Sequence, residues 1–284
     1  MLAAVILLLA FDPEPRYHGH SLTYWVDKYV SRPETAVQRE AAEALANMGT
    51  NALPFLLTRL RYEPARFRVW TWQALQQVPR RWKWLHDCAY DPQRQALNAA
   101  LTFAELGVAA RPALPALAAI ARDPASPSAA YHAQLAIALL GADGLPSLVE
   151  VLDDTNAPNR ASAVLHIGGF PKPQSNGAAA VPALVRCLDQ GDPVVQAYAI
   201  EALGNLALNP EIAVPALVRS ATPSRNTDVR LRAFQALSRF GEGARAAVPA
   251  LQSAMQDEDS LIRFGASLAL SRIAPESNTN APPP

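Results

Sequence analysis

The side chains that could take part in catalysis or metal binding are few in this chain of 284 residues. It has five histidines and two cysteines, and the cysteines, Cys88 and Cys187, lie far apart in sequence. No two histidines have the i, i+4 spacing that places a pair of metal ligands on one helical face. His86-Asp87-Cys88 has the residue types of a thiol nucleophile site, but adjacent residues on a helix point in different directions. We therefore predict no catalytic residue, no metal site and no cofactor.

The residues that could recognise a partner are concentrated between positions 59 and 84. This segment holds seven basic residues against one acidic residue, and four of the chain's five tryptophans. Trp and Arg are favoured anchors at protein interfaces because they combine a large contact area with directed donors. Two tryptophans that lie two positions apart cannot both face the interior of a helix, so part of this set is expected to be exposed. The predicted partner-binding residues are Arg59, Arg61, Arg66, Arg68, Trp70, Trp72, Arg80, Arg81, Trp82, Lys83 and Trp84.

Two other interpretations of the same segment stay open. The tryptophans could fill a wider gap in the interior while the arginines lie along a solvated rim. Interleaved Arg and Trp would also suit a phosphate backbone and stacked bases, which would make residues 59–84 a nucleic-acid site. The chain has 25 acidic and 25 basic residues, so nucleic-acid binding would depend on this local patch alone and is the less favoured alternative.

Recurring prolines indicate the elements that must position these residues. Six prolines each open a short apolar run, and successive gaps between them are 61, 31, 36, 33 and 34 residues, so the first gap is predicted to span two units. A period of this size is typical of stacked helical repeats. The prolines are Pro54, Pro115, Pro146, Pro182, Pro215 and Pro249.

A second pattern precedes each proline and has helical spacing. Small and apolar residues recur there at offsets 0, +4, +7, +8 and +11, followed by Gly or Ala. A terminal Gly can close the first helix in the left-handed conformation, and the following Pro suits the first turn of a second helix. The predicted fold class is therefore all-α, a solenoid of stacked antiparallel helix pairs. Copies begin at Val37, Phe67, Gln95, Ala129, Ala157, Val195, Val229 and Ile262.

The best copy of this pattern resembles a known repeat. Asp228-Val229-Arg230, Ala233, Ala236-Leu237 and Phe240-Gly241 resemble a HEAT repeat of the HEAT-like, PBS-lyase type found in bacterial arrays. The resemblance covers most of residues 34–274. It implies a superhelical array that binds other macromolecules along the concave groove of its second helices. It therefore suggests a non-enzymatic scaffold or adaptor for a protein or peptide partner.

The family resemblance leaves an enzymatic alternative, a HEAT-like lyase or another enzyme of the repeat family. Members that hydroxylate a modified lysine hold iron with His-Glu dipeptides, and none of the five histidines here is followed by Glu. Arg230, Arg263, Arg68, Gln38 and Gln196 occupy the same slot in their copies and form a polar ladder along the array. In the family, such positions hydrogen-bond to a neighbouring repeat. We predict the same structural role for these residues.

The chain ends differ in composition from the array. The apolar run Met1–Phe11 has the length of a signal-peptide core, which favours export or membrane anchoring over a cytoplasmic location, although it could instead cover the first repeat. The predicted organisation is an apolar segment at 1–12, a leader helix at 13–34, about seven helix pairs plus a final helix at 35–274, and a disordered tail at 275–284. The leader Tyr17–Val26 is similar to a short helix that precedes such arrays in some bacterial proteins.

Overall fold

The structure is a computed structural model, which describes residues 14–31, 36–61, 92–169, 175–190, 192–223 and 226–277. These residues are almost entirely helical, apart from a two-stranded hairpin near the N-terminus. The chain divides into two compact units between Leu140 and Gly141. In each unit, helix pairs stack side by side, so the predicted all-α solenoid is confirmed.

The first unit contains the hairpin and the helices that follow it. Its elements are β1 (Arg16–Tyr17), β2 (His20–Ser21), α1 (Leu22–Ser31), α2 (Ala36–Met48), α3 (Leu53–Leu60), α4 (Pro92–Leu106), α5 (Leu114–Ala121) and α6 (Pro127–Leu139).

The α2–α3 pair and the α4–α5 pair are direct neighbours. Helix α3 packs on α4, and the 3-10 segments Gly49–Ala52 and Gly107–Ala113 also touch each other. The copy predicted to begin at Phe67 lies outside the described residues.

The predicted leader helix over residues 13–34 is shorter than expected, because residues 16–21 form the hairpin instead. His18 and Gly19 have φ values of 48° and 80°, as a two-residue hairpin turn of type I′ requires. The hairpin covers Trp25, whose indole Nε1 donates to the Tyr17 carbonyl at 3.1 Å. Trp25 is 3% exposed, so the hairpin and α1 close one edge of the first core.

The second unit continues the alternation of first and second helices. Its elements are α7 (Leu145–Asp153), α8 (Arg160–Gly168), α9 (Val181–Leu188), α10 (Pro193–Leu206), α11 (Pro210–Ser220), α12 (Thr227–Arg239), α13 (Val248–Ala254) and α14 (Ser260–Ile273). The first helices α8, α10, α12 and α14 pack in sequence against one another.

Close approach between first helices depends on small residues. A Cβ atom on Gly204 would lie 2.7 Å from the Ala236 Cα, and one on Gly168 would lie 2.8 Å from the Ala202 Cβ. Helix α8 continues through Gly168 and has its C-cap at Gly169. Packing against α10 is therefore what requires a glycine at position 168.

The predicted punctuation of the repeats is largely confirmed. The glycines that follow α2, α4, α6 and α12 have φ between 49° and 61°, and five of the six repeat prolines stand in the first two positions of a second helix. Pro215 is the exception, because α11 already begins at Pro210 and Pro215 lies inside it. The expectation that Pro215 opens its helix was wrong.

The copy predicted to begin at Ala157 was assigned the wrong phase. Asn159 has a left-handed φ of 55°, and the helix begins at Arg160. Leu165, which the predicted phase placed in the core, is 46% exposed, whereas Ala163, Val164 and Ile167 are buried. The loop before α8 shifts the repeat pattern by two residues.

Candidate partner-binding surface

The second helices of the second unit expose a repeating face. The repeat proline and the residues four and seven positions after it share one helical face, and all of them are exposed. We call this face the second-helix surface. It comprises Pro146, Glu150 and Asp153 of α7; Pro182, Arg186 and Asp189 of α9; Pro215, Arg219 and Thr222 of α11; and Pro249, Ser253 and Gln256 of α13.

Ion pairs join neighbouring second helices across this surface. Arg186 donates to Asp153 Oδ1 through Nη2 at 2.6 Å and through Nε at 3.2 Å. Arg219 Nη2 lies 3.8 Å from Asp189 Oδ2. These side chains are about half exposed, and such pairs contribute only about 0–1 kcal/mol to stability. The pairs can therefore be exchanged for contacts with a partner's charges at small cost.

The charges on the second-helix surface are unevenly distributed. Helix α7 presents Glu150 and Asp153, whereas α11 presents Arg219. Helix α9 lies between them and carries one charge of each sign, Arg186 and Asp189. The surface is consequently acidic at its α7 end and basic at its α11 end.

Arg59, one of the predicted partner-binding residues, is engaged inside the first unit. Its guanidinium donates to Thr23 Oγ1 at 2.6 Å and to Gln95, lies 3.5 Å from Glu14 Oε1, and stands over the Phe55 ring at 4.6 Å. The side chain is 14% exposed. Arg59 thus ties α3 to α1, α4 and the N-terminal segment, and it is not available as an anchor for a partner.

Arg61 is exposed at the end of α3, where it borders a cleft of about 410 Å³ together with Asp123, Ser126 and Ala119. The structure therefore does not bring Arg59 and Arg61 together into one binding site. The remaining predicted residues lie outside the described residues; they are Arg66, Arg68, Trp70, Trp72, Arg80, Arg81, Trp82, Lys83 and Trp84.

The predicted polar ladder is present and satisfies carbonyl groups at the ends of second helices. Arg230 Nε donates to the Ala221 carbonyl at 3.2 Å, and its Nη2 reaches Asp257, in the loop between α13 and α14, at 2.7 Å. Gln196 donates to the Leu188 carbonyl, and Arg263 donates to the carbonyls of the loop before its own helix. Because the last carbonyls of a helix lack intrahelical partners, these side chains fix each first helix to the preceding second helix.

Two members of the ladder were missed from the sequence. Gln134 Nε2 donates to the Ala121 carbonyl at 3.2 Å, and Arg160 Nη2 donates to the Leu152 carbonyl at 2.7 Å. Arg160 also donates to Gln190, in the loop between α9 and α10. The wrong phase assigned to α8 concealed Arg160, although a basic residue at the start of a first helix was the available signal.

Asp257 receives two donors, the Asp259 backbone N–H at 3.0 Å and the Arg230 guanidinium at 2.7 Å. These hydrogen bonds hold the pKa of the Asp257 carboxyl below its usual value of 3.8. The contact between neighbouring repeats is therefore made by a carboxylate at neutral pH.

The described cysteine and the two hairpin histidines, which were candidates for chemistry, pack against neighbouring residues of the fold. Cys187 is a buried free thiol whose pKa is raised by burial, and Cys88 lies outside the described residues. His18 stacks on Tyr17 and His20 stacks on Tyr24, each as part of the hairpin cluster. Over the described ranges, no group of three His, Cys, Asp or Glu side chains is placed to hold a metal ion.

One described helical stretch, Gln93–Ala121, is long and apolar enough by length and composition to cross a membrane. It consists of α4, a 3-10 segment and α5, with the left-handed Gly107 between the two helices. Both helices pack against α6. This packing is that of core helices in a repeat array.

Solved structures similar to the chain have low sequence identity. An engineered protein is 19% identical over 90% of this chain and 97% of its own, with a TM-score of 0.44. A designed armadillo repeat protein in complex with the peptide (KR)4 is 17% identical over 89% and 99%, with a TM-score of 0.41. A Kap121p mutant is 12% identical over 98% of this chain and 40% of its own, with a TM-score of 0.38. Because all three TM-scores are below 0.5, they carry no conclusion about this chain.

Family models match the chain directly. The model for HEAT repeats matches residues 145–238 and 214–282, and the model for the PBS lyase HEAT-like repeat matches residues 37–62. No protein of curated function matches in sequence. The two HEAT-type models together cover more than half of the chain and agree with the helix pairs described above. The chain therefore belongs to the HEAT-repeat family.

Proposed function

We propose that this protein is a non-enzymatic scaffold that binds an extended protein or peptide segment along the second-helix surface. The observation that supports it is the row of exposed charges on α7, α9 and α11, whose ion pairs are too exposed to contribute much to folding. Recognition of a charged partner accounts for their regular placement. No enzymatic role is proposed.

The geometry of the surface defines the kind of segment that it would bind. Packed helices lie about 8–10 Å apart, and an extended chain rises about 3.3 Å per residue, so each repeat spans about three residues of the partner. From α7 to α11 the surface spans two such steps, or about six residues. A segment with a basic residue over Glu150 and Asp153 and an acidic residue about six positions away, over Arg219, would match both ends.

The Arg/Trp segment remains a proposed second contact for the same partner. Its nine residues outside the described ranges are five basic residues and four tryptophans: Arg66, Arg68, Arg80, Arg81, Lys83, Trp70, Trp72, Trp82 and Trp84.

 Replacing Arg80, Arg81 and Lys83 by Glu is expected to weaken capture of the partner, because long-range attraction and hydrogen-bond donors are both lost. Unchanged capture by this triple variant would remove the Arg/Trp segment from the proposal and leave the second-helix surface as the only site.

Selection from a random peptide display library on the purified protein tests the proposal. The enriched peptides are expected to carry a basic and an acidic residue about six positions apart. Their binding is expected to fall about tenfold or more in the triple variant Glu150→Ala, Asp153→Ala, Arg219→Ala. The matched control is Glu242→Lys, which alters an exposed charge in the loop between α12 and α13. Selected peptides that bind this triple variant as tightly as the wild type would contradict the proposed site.

A further inference from the structure

An apolar groove lies between the first helices α12 and α14. Its volume is about 400 Å³, and its floor is formed at Gly265. A Cβ atom at this position would lie 2.7 Å from Leu231 Cδ2 and 3.3 Å from Phe234 Cδ2. At the equivalent position α12 carries Arg232 and α10 carries Tyr198, whereas the glycine of α14 lets Leu231 and Phe234 of α12 pack against the helix at the floor of the groove.

An exposed apolar stripe runs along α14 beside this groove. Leu261, Phe264 and Leu268 are 59%, 68% and 47% exposed, and their spacing of three and four residues places them on one helical face. Phe264 lines the groove next to Gly265 and projects from the surface. A protruding aromatic side chain and an apolar recess of matching character thus stand side by side on the same surface.

Opposite charges flank this surface at its two ends. Arg272 and Arg239 lie at the C-terminal ends of α14 and α12, whereas Glu258 and Asp228 lie at the N-terminal ends. Glu258 and Arg272 are both exposed, and they are six residues before Phe264 and seven residues after Gly265. The charged residues Glu258 and Arg272 therefore lie at nearly equal distances on either side of Phe264 and Gly265, and they have opposite signs.

We propose that this surface binds a second copy of the chain in an antiparallel, two-fold arrangement. A two-fold contact requires that one patch be complementary to itself. Antiparallel pairing about Phe264 and Gly265 places Phe264 of each copy in the groove of the other and brings Arg272 near Glu258 of the second copy. Because the contact uses α12 and α14, it leaves the exposed rows of α7, α9 and α11 outside the dimer interface.

Sedimentation equilibrium of the full chain over a wide range of protein concentration tests the proposal. The wild type is expected to form dimers, and Phe264→Ser is expected to raise the dimer dissociation constant about tenfold or more, because a central aromatic anchor is lost. Leu165→Ser is the matched control, since Leu165 is also an exposed apolar residue of a first helix. A monomeric wild type, or a Phe264→Ser variant that dimerises as strongly as the wild type, would overturn the proposal.

A charge exchange distinguishes a second copy from a different partner. Arg272→Glu and Glu258→Arg are each expected to weaken dimerisation, and the double variant is expected to recover it, because both exchanged charges then meet on identical chains. Far-UV circular dichroism checks that every variant is folded. Failure of the double variant to recover the wild-type dissociation constant would overturn the antiparallel arrangement.

Discussion

Arg230 is a buried residue whose guanidinium forms hydrogen bonds and an ion pair inside the protein. It is 6% exposed and connects the end of α11 to Asp257 in the loop between α13 and α14. Arg160 and Gln134 likewise donate to a carbonyl at the end of the preceding second helix, although Gln134 lies about one turn later in its own first helix. At the residue scale, the array is therefore held by one polar side chain per junction in addition to its apolar core.

Replacing Arg230 by Met is expected to lower the free energy of unfolding by about 2 kcal/mol, because the Ala221 carbonyl loses the Arg230 donor and Asp257 loses one of its two donors. Urea denaturation at pH 7 measures the change. Arg232→Met is the control, since Arg232 is 39% exposed and its ion pairs lie on the surface, where about 0–1 kcal/mol is expected. Equal losses in the two variants would contradict the structural role of the ladder.

Asp257 makes this junction sensitive to acid. Its pKa is lowered in the folded protein, so its contribution to stability is present above the pKa of an unfolded aspartate, about 3.9, and is lost as the pH falls through the folded value. Asp257→Asn is expected to be less stable than the wild type at pH 7 and to approach it as the pH is lowered below about 4. Urea denaturation at a series of pH values checks this. A difference that is independent of pH would show that the ionised carboxylate is not responsible.

The sequence was sufficient to predict the ladder as a class but not each of its members. Arg230 and Gln196 were identified because they follow a clear first position of the repeat. Arg160 was missed because the left-handed Asn159 shifts the start of α8, and backbone conformation in a loop is not encoded by periodicity. Arg59 was predicted to bind a partner. Its contacts with Thr23 and Gln95 join segments that are distant in sequence, and periodicity does not predict such contacts.

At the scale of elements, α11 differs from the other second helices because it begins five residues before its repeat proline. Pro215 lacks the N–H that a residue inside a helix donates, whereas Pro182 stands in the first turn, where no partner is needed. Pro215→Ala is expected to raise the free energy of unfolding by about 1 kcal/mol or more, and Pro182→Ala is expected to leave it unchanged or slightly lower. Thermal and urea denaturation measure both. A loss of stability in Pro215→Ala would contradict this assignment.

The packing of α10 on α12 depends on Gly204. Alanine has the higher helix propensity by about 1 kcal/mol, but its Cβ at this position would lie 2.7 Å from the backbone Cα of Ala236. Gly204→Ala is therefore expected to destabilise the protein by about 1 kcal/mol or more, since backbone atoms cannot rotate away. Gly243→Ala, where the nearest atom would be 3.6 Å away, is the control in a denaturation experiment. A stabilised Gly204→Ala variant would show that the helices can separate without cost.

Periodicity predicted most of the elements because burial of small and apolar residues determines the helical phase. Ala233, Ala236 and Leu237 are buried as their offsets in the repeat required. The hairpin at Arg16–Ser21 was not foreseen, since its signal is confined to the turn residues His18 and Gly19. The sequence predicted the second-helix surface only as a groove. The regular placement of its charges could be recognised only after each repeat proline had been located in its helix.

At the scale of the whole molecule, the packing of α3 on α4 predicts the effect of replacing residues 62–91. Helix α3 packs on α4 in the way that α9 packs on α10, and the latter pair is connected by only the four residues Asp189–Asp192. Replacing residues 62–91 by a linker of similar length is therefore expected to retain the helical circular dichroism spectrum and cooperative unfolding. Loss of cooperative folding would mean that residues 62–91 are required for the array. The same variant tests whether the proposed Arg/Trp contacts are separable from the fold.

The most direct test of the proposed function inverts the polarity of the second-helix surface. The binding of one selected peptide and of the peptide with its basic and acidic residues exchanged is measured by isothermal titration calorimetry. Wild-type protein and the variant Glu150→Arg, Asp153→Arg, Arg219→Glu are compared. The proposal predicts that the wild type prefers the selected peptide and that the variant prefers the exchanged one. Each charged end of the surface attracts the peptide residue of opposite charge. An unchanged preference in the variant would contradict binding on this surface.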